Sequence, residues 1–297
     1  MKKFKAVAGY LVLIATLLFF VYYAIKHPQF WHELENLNIF IILLLLILYL
    51  IFLVSSIFIL KYTVDYCGKK ISFKNNLQLS AYSAIINFFG PLQSGPGFRA
   101  VYLKTNYKIK LRNFFEASIV YYLFFAAISA ICIVIGSKFW KWTILLAPLI
   151  LLGAFIIFRW QKSRTPEIKD EAINTRNTKL IIIKIGIATL LQILIISVIY
   201  FTELRIVNSS ISFRQAIAYT GVANFALFVS ITPGAIGIRE AFLLFSQKLL
   251  HMPSKTIIAA SVIDRAIYIV FLGILFIFAA SMHINEKLNI KKLKTEI

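Results

Sequence analysis

Long apolar segments are the feature that most limits how this chain can fold. Six of them reach the roughly 18–20 residues that an α-helix needs to cross a bilayer. They occupy 6–25, 38–60, 114–136, 142–160, 180–200 and 256–281. Hydrophobic residues make up 60% of the sequence, above the roughly 45–50% that is usual in soluble domains. We therefore expect an all-α, polytopic membrane helical bundle that forms one integral membrane domain over residues 1–297.

The net charge of +20 has a simple explanation in such a chain. Lys and Arg cluster at the ends of the spans, where they orient the helices and meet anionic lipid. The expected partners are therefore membrane lipids and not nucleic acid. The four histidines lie outside the spans and the two cysteines form no motif. We accordingly expect no metal site, no cofactor and no catalytic constellation.

Two further apolar regions, 77–97 and 217–237, are interrupted by proline and glycine. The interruptions lead into GPGFRAVYL in the first region and AIGIREAFL in the second. A helix broken inside a membrane leaves backbone groups unpaired, which is tolerated only within protein or along a wet cavity. We expect Arg99 and Arg239 in the first turn of the helix that follows each break. The positive end of such a helix attracts anions.

The two broken regions belong to an internal repeat. The tetrapeptides ISFK and ISFR are 140 residues apart, and so are Arg99 and Arg239. Each repeat consists of a span, a broken re-entrant hairpin and a second span, over about 38–136 and about 178–281. The first and fourth spans lie outside the repeat.

Positive charge predicts the orientation of the chain. If both hairpins return to the side from which they start, the segments on one side carry 22 Lys and Arg and those on the other side carry 8. The positive-inside rule then puts the N-terminus and the C-terminus in the cytoplasm, in the cell membrane. The two repeats are inverted in this topology, so one hairpin enters from each side. Inverted repeats with broken helices are typical of alternating-access transporters.

Two charged residues lie well inside the last span, at Asp264 and Arg265. An unpaired charge at such a depth costs about 2.5–3.5 kcal/mol. Adjacent helical residues point about 100° apart, so we do not expect these two to pair with each other. The expected partners lie on the second hairpin, with Arg239 beside Asp264 and Glu240 beside Arg265. This network would be a structural clamp, a substrate site, or both.

The candidate substrate-binding residues are the polar, charged and helix-breaking groups of the two hairpins and the last span. They are Asn87, Pro96, Gly97, Arg99, Asn224, Pro233, Gly234, Gly237, Arg239, Glu240, Asp264 and Arg265. We assign no catalytic residue among them.

The motifs NFFGPLQSGPGFRAVYL, NFALFVSITPGAIGIREAFLL and ASVIDRAIYIV resemble the lysylphosphatidylglycerol synthase transmembrane region family. The resemblance covers about 5–285 and implies a flippase-like membrane domain. In two-part bacterial enzymes a similar domain moves aminoacylated phosphatidylglycerol between leaflets, and a separate soluble domain makes that lipid. The sequence ends without such a domain, so we expect no synthase activity.

The first half departs from the family pattern. The family tends to have an acidic–Arg pair in the span after each hairpin, and the second half keeps it as Asp264–Arg265. The first half has Tyr121–Tyr122 there, and Glu116 is its only nearby acid. This difference argues against a symmetric two-site mechanism.

The leading hypothesis is a transporter or flippase that moves an anionic or zwitterionic lipid, such as a glycolipid or aminoacyl lipid, between leaflets. One alternative is a membrane-embedded lipid-modifying enzyme, such as a transferase, which would need acids or histidines beside the hairpins. Another is a non-catalytic membrane partner of a separate synthase or glycosyltransferase.

Overall fold

A computed structural model describes residues 37–90, 94–137, 175–228 and 232–295. The residues in these ranges form helices and short connections, with no strand. The helices are α1 Ile39–Tyr66, α2 Phe73–Phe89, α3 Ser94–Tyr107, α4 Leu111–Gly136, α5 Thr175–Val207, α6 Phe213–Phe228, α7 Ile238–Phe245, α8 Gln247–Leu250 and α9 Ser254–Thr295. A 3-10 turn, Pro233–Ala235, lies between α6 and α7.

Four helices are long and apolar enough to cross a membrane, which confirms a multi-pass membrane protein. They are Ile39–Tyr66, Leu111–Gly136, Thr178–Val207 and Ser254–Ser281. These helices coincide with four of the six predicted spans. The other two predicted spans, 6–25 and 142–160, lie outside the described residues. The inverted relation of the two repeats stays a prediction.

The outer surface of the bundle is apolar, as lipid contact requires. Large hydrophobic side chains of three spans are exposed, including Ile47 at 55%, Ile183 at 57% and Ile277 at 70%. Among the described spans α9 is the most enclosed. In its apolar 18-residue segment 61% of the residues are buried, compared with 22% in the corresponding segment of α1. The polar groups of α9 therefore face protein instead of lipid.

Polar side chains join three of the spans inside the bundle. The Gln192 amide of α5 donates a hydrogen bond to the Ser56 hydroxyl of α1 at 2.8 Å. The Tyr121 hydroxyl of α4 donates to the Gln192 amide oxygen at 3.0 Å. Such bonds contribute about 0.6 kcal/mol on average between membrane helices. Gln192 is 4% exposed, and its two hydrogen bonds connect α1, α4 and α5.

Close packing joins α4 to α6. A Cβ built on Gly221 would lie 2.6 Å from the Ser129 carbonyl oxygen, so only glycine allows this approach. Asn224, three residues further along α6, donates from its amide to the Ser129 hydroxyl at 3.1 Å. At the other end of the contact, Arg214 Nε donates to the Ile135 carbonyl at 2.9 Å. The start of α6 and the end of α4 therefore lie at the same end of the bundle.

Candidate functional site

The first break separates α2 from α3, which pack side by side. A Cβ on Gly95 would lie 2.7 Å from the Ser83 carbonyl oxygen and 2.8 Å from Asn87 Cβ. Gly95 N–H also donates to the Asn87 side-chain oxygen at 3.4 Å. Asn87 therefore supports the return of the chain into α3.

The helix after the first break begins earlier than the sequence indicated. Because α3 starts at Ser94, Pro96 and Gly97 lie in its first turn and Arg99 is in the second turn. A proline fits the first turn because its missing N–H has no partner there in any helix. The expectation that Arg99 lies in the first turn is therefore wrong, and its side chain lies alongside the helix instead of at its tip.

The second break is a tight turn that depends on glycine. The 3-10 turn that opens with Pro233 contains Gly234 at φ 57°, and Gly237 has φ 81° just before α7. Positive φ at these two positions favours glycine over residues with a side chain. Gly237 N–H donates to the Glu240 carboxylate at 2.7 Å, which satisfies one free donor at the start of α7.

The end of α2, just before the first break, meets the second break inside the bundle. A Cβ on Gly234 would contact the Phe88 ring at 3.0 Å and the Phe88 carbonyl oxygen at 3.2 Å. Phe88 is near the end of α2 and is 5% exposed. Its ring also lies 5.5 Å from the ring of Tyr268 on α9. The end of α2, the second break and the middle of α9 therefore form one contact region.

The two ion pairs expected from the sequence are both present. Arg239 Nη2 lies 2.5 Å from Asp264 Oδ2, and Arg265 Nη2 lies 3.0 Å from Glu240 Oε1. Arg239, Asp264 and Arg265 are 7%, 5% and 5% exposed. Each pair joins α7 to α9, so the four charges neutralise one another across one helix contact.

Further hydrogen bonds attach the second break to α9. Arg265 Nη1 donates to the Gly234 carbonyl oxygen, and the Ser261 hydroxyl donates to Glu240 Oε1 at 2.8 Å. Burial tends to raise the pKa of the Glu240 carboxyl, but the Arg265 and Arg239 charges and these hydrogen bonds outweigh it and lower the pKa to about 2. Glu240 is therefore held as a carboxylate, and the network attaches the second break to α9.

Arg99 matches Arg239 in the predicted sequence repeat, but among the described residues it has no carboxylate partner. ASIVYY in α4 corresponds to ASVIDR in α9, so Tyr121 and Tyr122 replace Asp264 and Arg265. Both tyrosines and Tyr268 are the electrostatic neighbours of Arg99.

No ion pair of the described ranges includes Arg99, and its buried Nε has no hydrogen-bond partner there. Glu116, the one nearby acid predicted from the sequence, pairs with Arg112 at 3.2 Å. Arg99 is therefore the cation of this region that is not neutralised.

Sequence analysis did not identify a second acid near Asp264. Glu203 on α5 is 1% exposed, and its Oε1 lies 3.5 Å from the Tyr49 hydroxyl oxygen of α1. The same hydroxyl donates to Asp264 Oδ1 at 2.6 Å. The apolar run that predicts this span ends at residue 200, so hydropathy alone places Glu203 beyond the span. Glu203 lies one turn beyond Tyr200, on the same helix face, and this spacing is the sequence signal that places it on the same helix.

The structure brings Arg239, Glu240, Asp264 and Arg265 together with Gly234, and it brings Arg99 next to the α4 tyrosines. Asn87 and Asn224, which match in the repeat, have different structural contacts. Gly97 and Gly237 border open space, because a Cβ on either would meet no atom within 4 Å. The substrate-binding role of all these residues stays a prediction.

Comparison with known proteins supports a membrane role related to lipids. The family described as Lysylphosphatidylglycerol synthase TM region matches residues 7–275. No curated protein matches the chain. The match covers most of the 297 residues and includes both breaks, the tyrosines of α4 and α9 as far as residue 275. The chain belongs to the lysylphosphatidylglycerol synthase transmembrane region family.

Proposed function

We propose that this protein moves a lipid with an anionic phosphate in its headgroup between the two leaflets, and that Arg99 contacts that phosphate. The family match supports a lipid substrate, because the matched region is the membrane part of a lipid synthase. The observation that carries the proposal is the unpaired state of Arg99. Three arginines lie close to the breaks, and two of them, Arg239 and Arg265, already have carboxylate partners.

The surroundings of Arg99 suit a phosphate. Arginine binds phosphate through parallel N–H donors, and its charge persists when it is buried. Arg99 is half-buried and its Nε has no acceptor among the described residues, which is unfavourable, so a phosphate that pairs with it gains more than it would in water. Tyr122 and Tyr268 interact electrostatically with its charge. A headgroup crossing the membrane loses its hydration, and these groups would replace part of it.

The asymmetry of the two halves supports one headgroup site instead of two. In the second half the arginine at the matching position is held by Asp264 and faces the Tyr200 ring at 5.4 Å. Among the described residues of the second break and α9, both arginines are therefore paired. We propose that the first half receives the headgroup and that the clamped second half is the element against which it moves.

The test uses purified protein in liposomes that contain a headgroup-labelled phospholipid. Dithionite destroys the label in the outer leaflet at once, and the slow second phase reports movement from the inner leaflet. We expect a faster second phase than in protein-free liposomes for an anionic lipid such as phosphatidylglycerol. A neutral diacylglycerol analogue of similar size is the control and should move at the same rate with or without protein. No protein-dependent acceleration of the anionic lipid, or an equal acceleration of both lipids, would contradict the proposal.

A further inference from the structure

Glu203 is the buried acid that the clamp and the headgroup site leave unexplained. It lies near the end of α5 and is 1% exposed. The ion pairs of the described ranges do not include it. The titratable groups that interact with it come from five helices. They are Tyr200 on its own helix, Tyr49 on α1, Tyr219 on α6, Arg239 on α7 and Asp264 on α9.

The charges in this region do not balance if Glu203 is ionised. Arg239 lies against Asp264, and Arg265 lies against Glu240. Two guanidinium groups therefore face three carboxyl groups, and both guanidinium groups already have close partners. A buried carboxylate without a cation is strongly unfavourable, and such a group takes up a proton instead.

The hydrogen-bond pattern around Tyr49 gives an independent argument. A tyrosine hydroxyl has one hydrogen to donate, and here it is donated to Asp264 Oδ1 at 2.6 Å. The same oxygen lies 3.5 Å from Glu203 Oε1, so two acceptors would face each other if Glu203 were a carboxylate. If Glu203 carries a proton, it donates to the Tyr49 oxygen and the contact becomes favourable. The chain of bonds then runs from Glu203 through Tyr49 to Asp264.

We infer that Glu203 is a proton-binding site inside the membrane domain, and that gain and loss of its proton control the Arg239–Asp264 ion pair that holds the second break. A metal cation fits this position less well, because the adjacent Arg239 guanidinium repels it. A proton needs no further ligands. It comes from water and returns to water, and no other group is consumed.

The link to the second break follows from competition for one arginine. Arg239 Nε is buried and has no hydrogen-bond partner among the described residues. When Glu203 loses its proton, its carboxylate competes with Asp264 for this guanidinium and weakens the bond that attaches α7 to α9. The link from this release to lipid movement rests on the proposed function.

Infrared difference spectroscopy detects the proton directly, without a transport assay. The purified wild-type protein should show the carbonyl stretch of a protonated carboxylic acid near neutral pH. Glu203→Gln should lose this band, and the matched control Glu116→Gln on α4 should keep it. Tyr49→Phe removes the acceptor hydroxyl without changing any carboxyl, so it should move the band to higher frequency. A wild-type spectrum without the band, or an unchanged band in Glu203→Gln, would overturn the proton site.

Lipid movement in liposomes then tests the link. The wild-type rate should rise with pH by up to about tenfold per unit while Glu203 titrates, whereas Glu203→Gln should stay at its low-pH rate. A full pH dependence in Glu203→Gln would overturn the control of the ion pair by Glu203. If the band depends on Glu203 but no lipid moves in the wild type, the proton site stands and the proposed function fails.

Discussion

The Arg239 guanidinium and the Asp264 carboxylate, 25 residues apart in the sequence, form a 2.5 Å ion pair in which the side chains are only 8% and 6% exposed. This pair attaches the helix after the second break to the most enclosed span. At the positions that match in the sequence, the first half has Arg99 and Tyr121 instead of an arginine and an acid. The two halves therefore differ in charge, and Arg99 has no carboxylate partner among the described residues.

The Arg239–Asp264 pair should show strong energetic coupling. Removal of one partner, by Arg239→Met or Asp264→Asn, leaves the other charge buried and should destabilise the fold by about 3–5 kcal/mol. The double variant removes both charges and should lose less than the sum of the two single changes, by about 0.5–3 kcal/mol. Thermal unfolding of the four purified proteins in detergent gives the coupling energy.

The exposed pair between Arg112 and Glu116 is the control for this cycle. It has a 3.2 Å contact, but the Arg112 side chain is 58% exposed. Its coupling energy should be about 0–1 kcal/mol, because water screens the charges. Equal coupling in the two pairs would show that the buried pair does not hold the second break.

A side chain at Gly237 should strain the turn before α7. Gly237 has φ 81° and borders open space, so Gly237→Ala changes the backbone energy without a steric clash. We expect a loss of about 1–3 kcal/mol in the free energy of unfolding. Gly97 also borders open space, but it lies inside α3 and has no positive φ. Gly97→Ala should therefore be neutral or stabilise by about 0.5–1 kcal/mol.

Single-cysteine labelling tests the inverted arrangement of the two hairpins. In a variant without Cys67 and Cys132, a cysteine at position 104 should react with an impermeant reagent only from the cytoplasmic side. A cysteine at position 248 should react only from outside. Lys104 and Lys248 are both exposed, so each position is accessible to the reagent. Labelling of both from the same side would contradict the inverted repeat and the orientation predicted from charge.

Hydropathy was sufficient to predict four spans of this fold, because each long apolar segment must be buried in the membrane as a single helix. It did not predict their full lengths. The helix α5 continues to Val207, beyond the apolar run, because Tyr200 and Glu203 face protein instead of lipid. A hydropathy scale treats such a buried polar face as a loop, and this is why Glu203 was missed.

The ion pairs could be predicted because a charge inside a span requires a partner, and the second hairpin offered two. The free state of Arg99 could not be predicted in the same way. It depends on Glu116 lying four residues from Arg112, where the two bind each other on the helix surface. The start of α3 at Ser94 was also missed, because Pro96 suggested a break where it forms a first turn.

The most direct test of this account is the rate at which an anionic lipid crosses liposomes that contain an Arg99 variant. A charge-assisted hydrogen bond contributes about 1.5–3 kcal/mol, so Arg99→Gln should slow movement about tenfold to a hundredfold. Arg99→Lys, which keeps the charge, should lose less. Arg205→Gln removes an exposed arginine on α5 and should leave the rate unchanged. A rate in Arg99→Gln equal to that of the wild type would contradict Arg99 as the headgroup site.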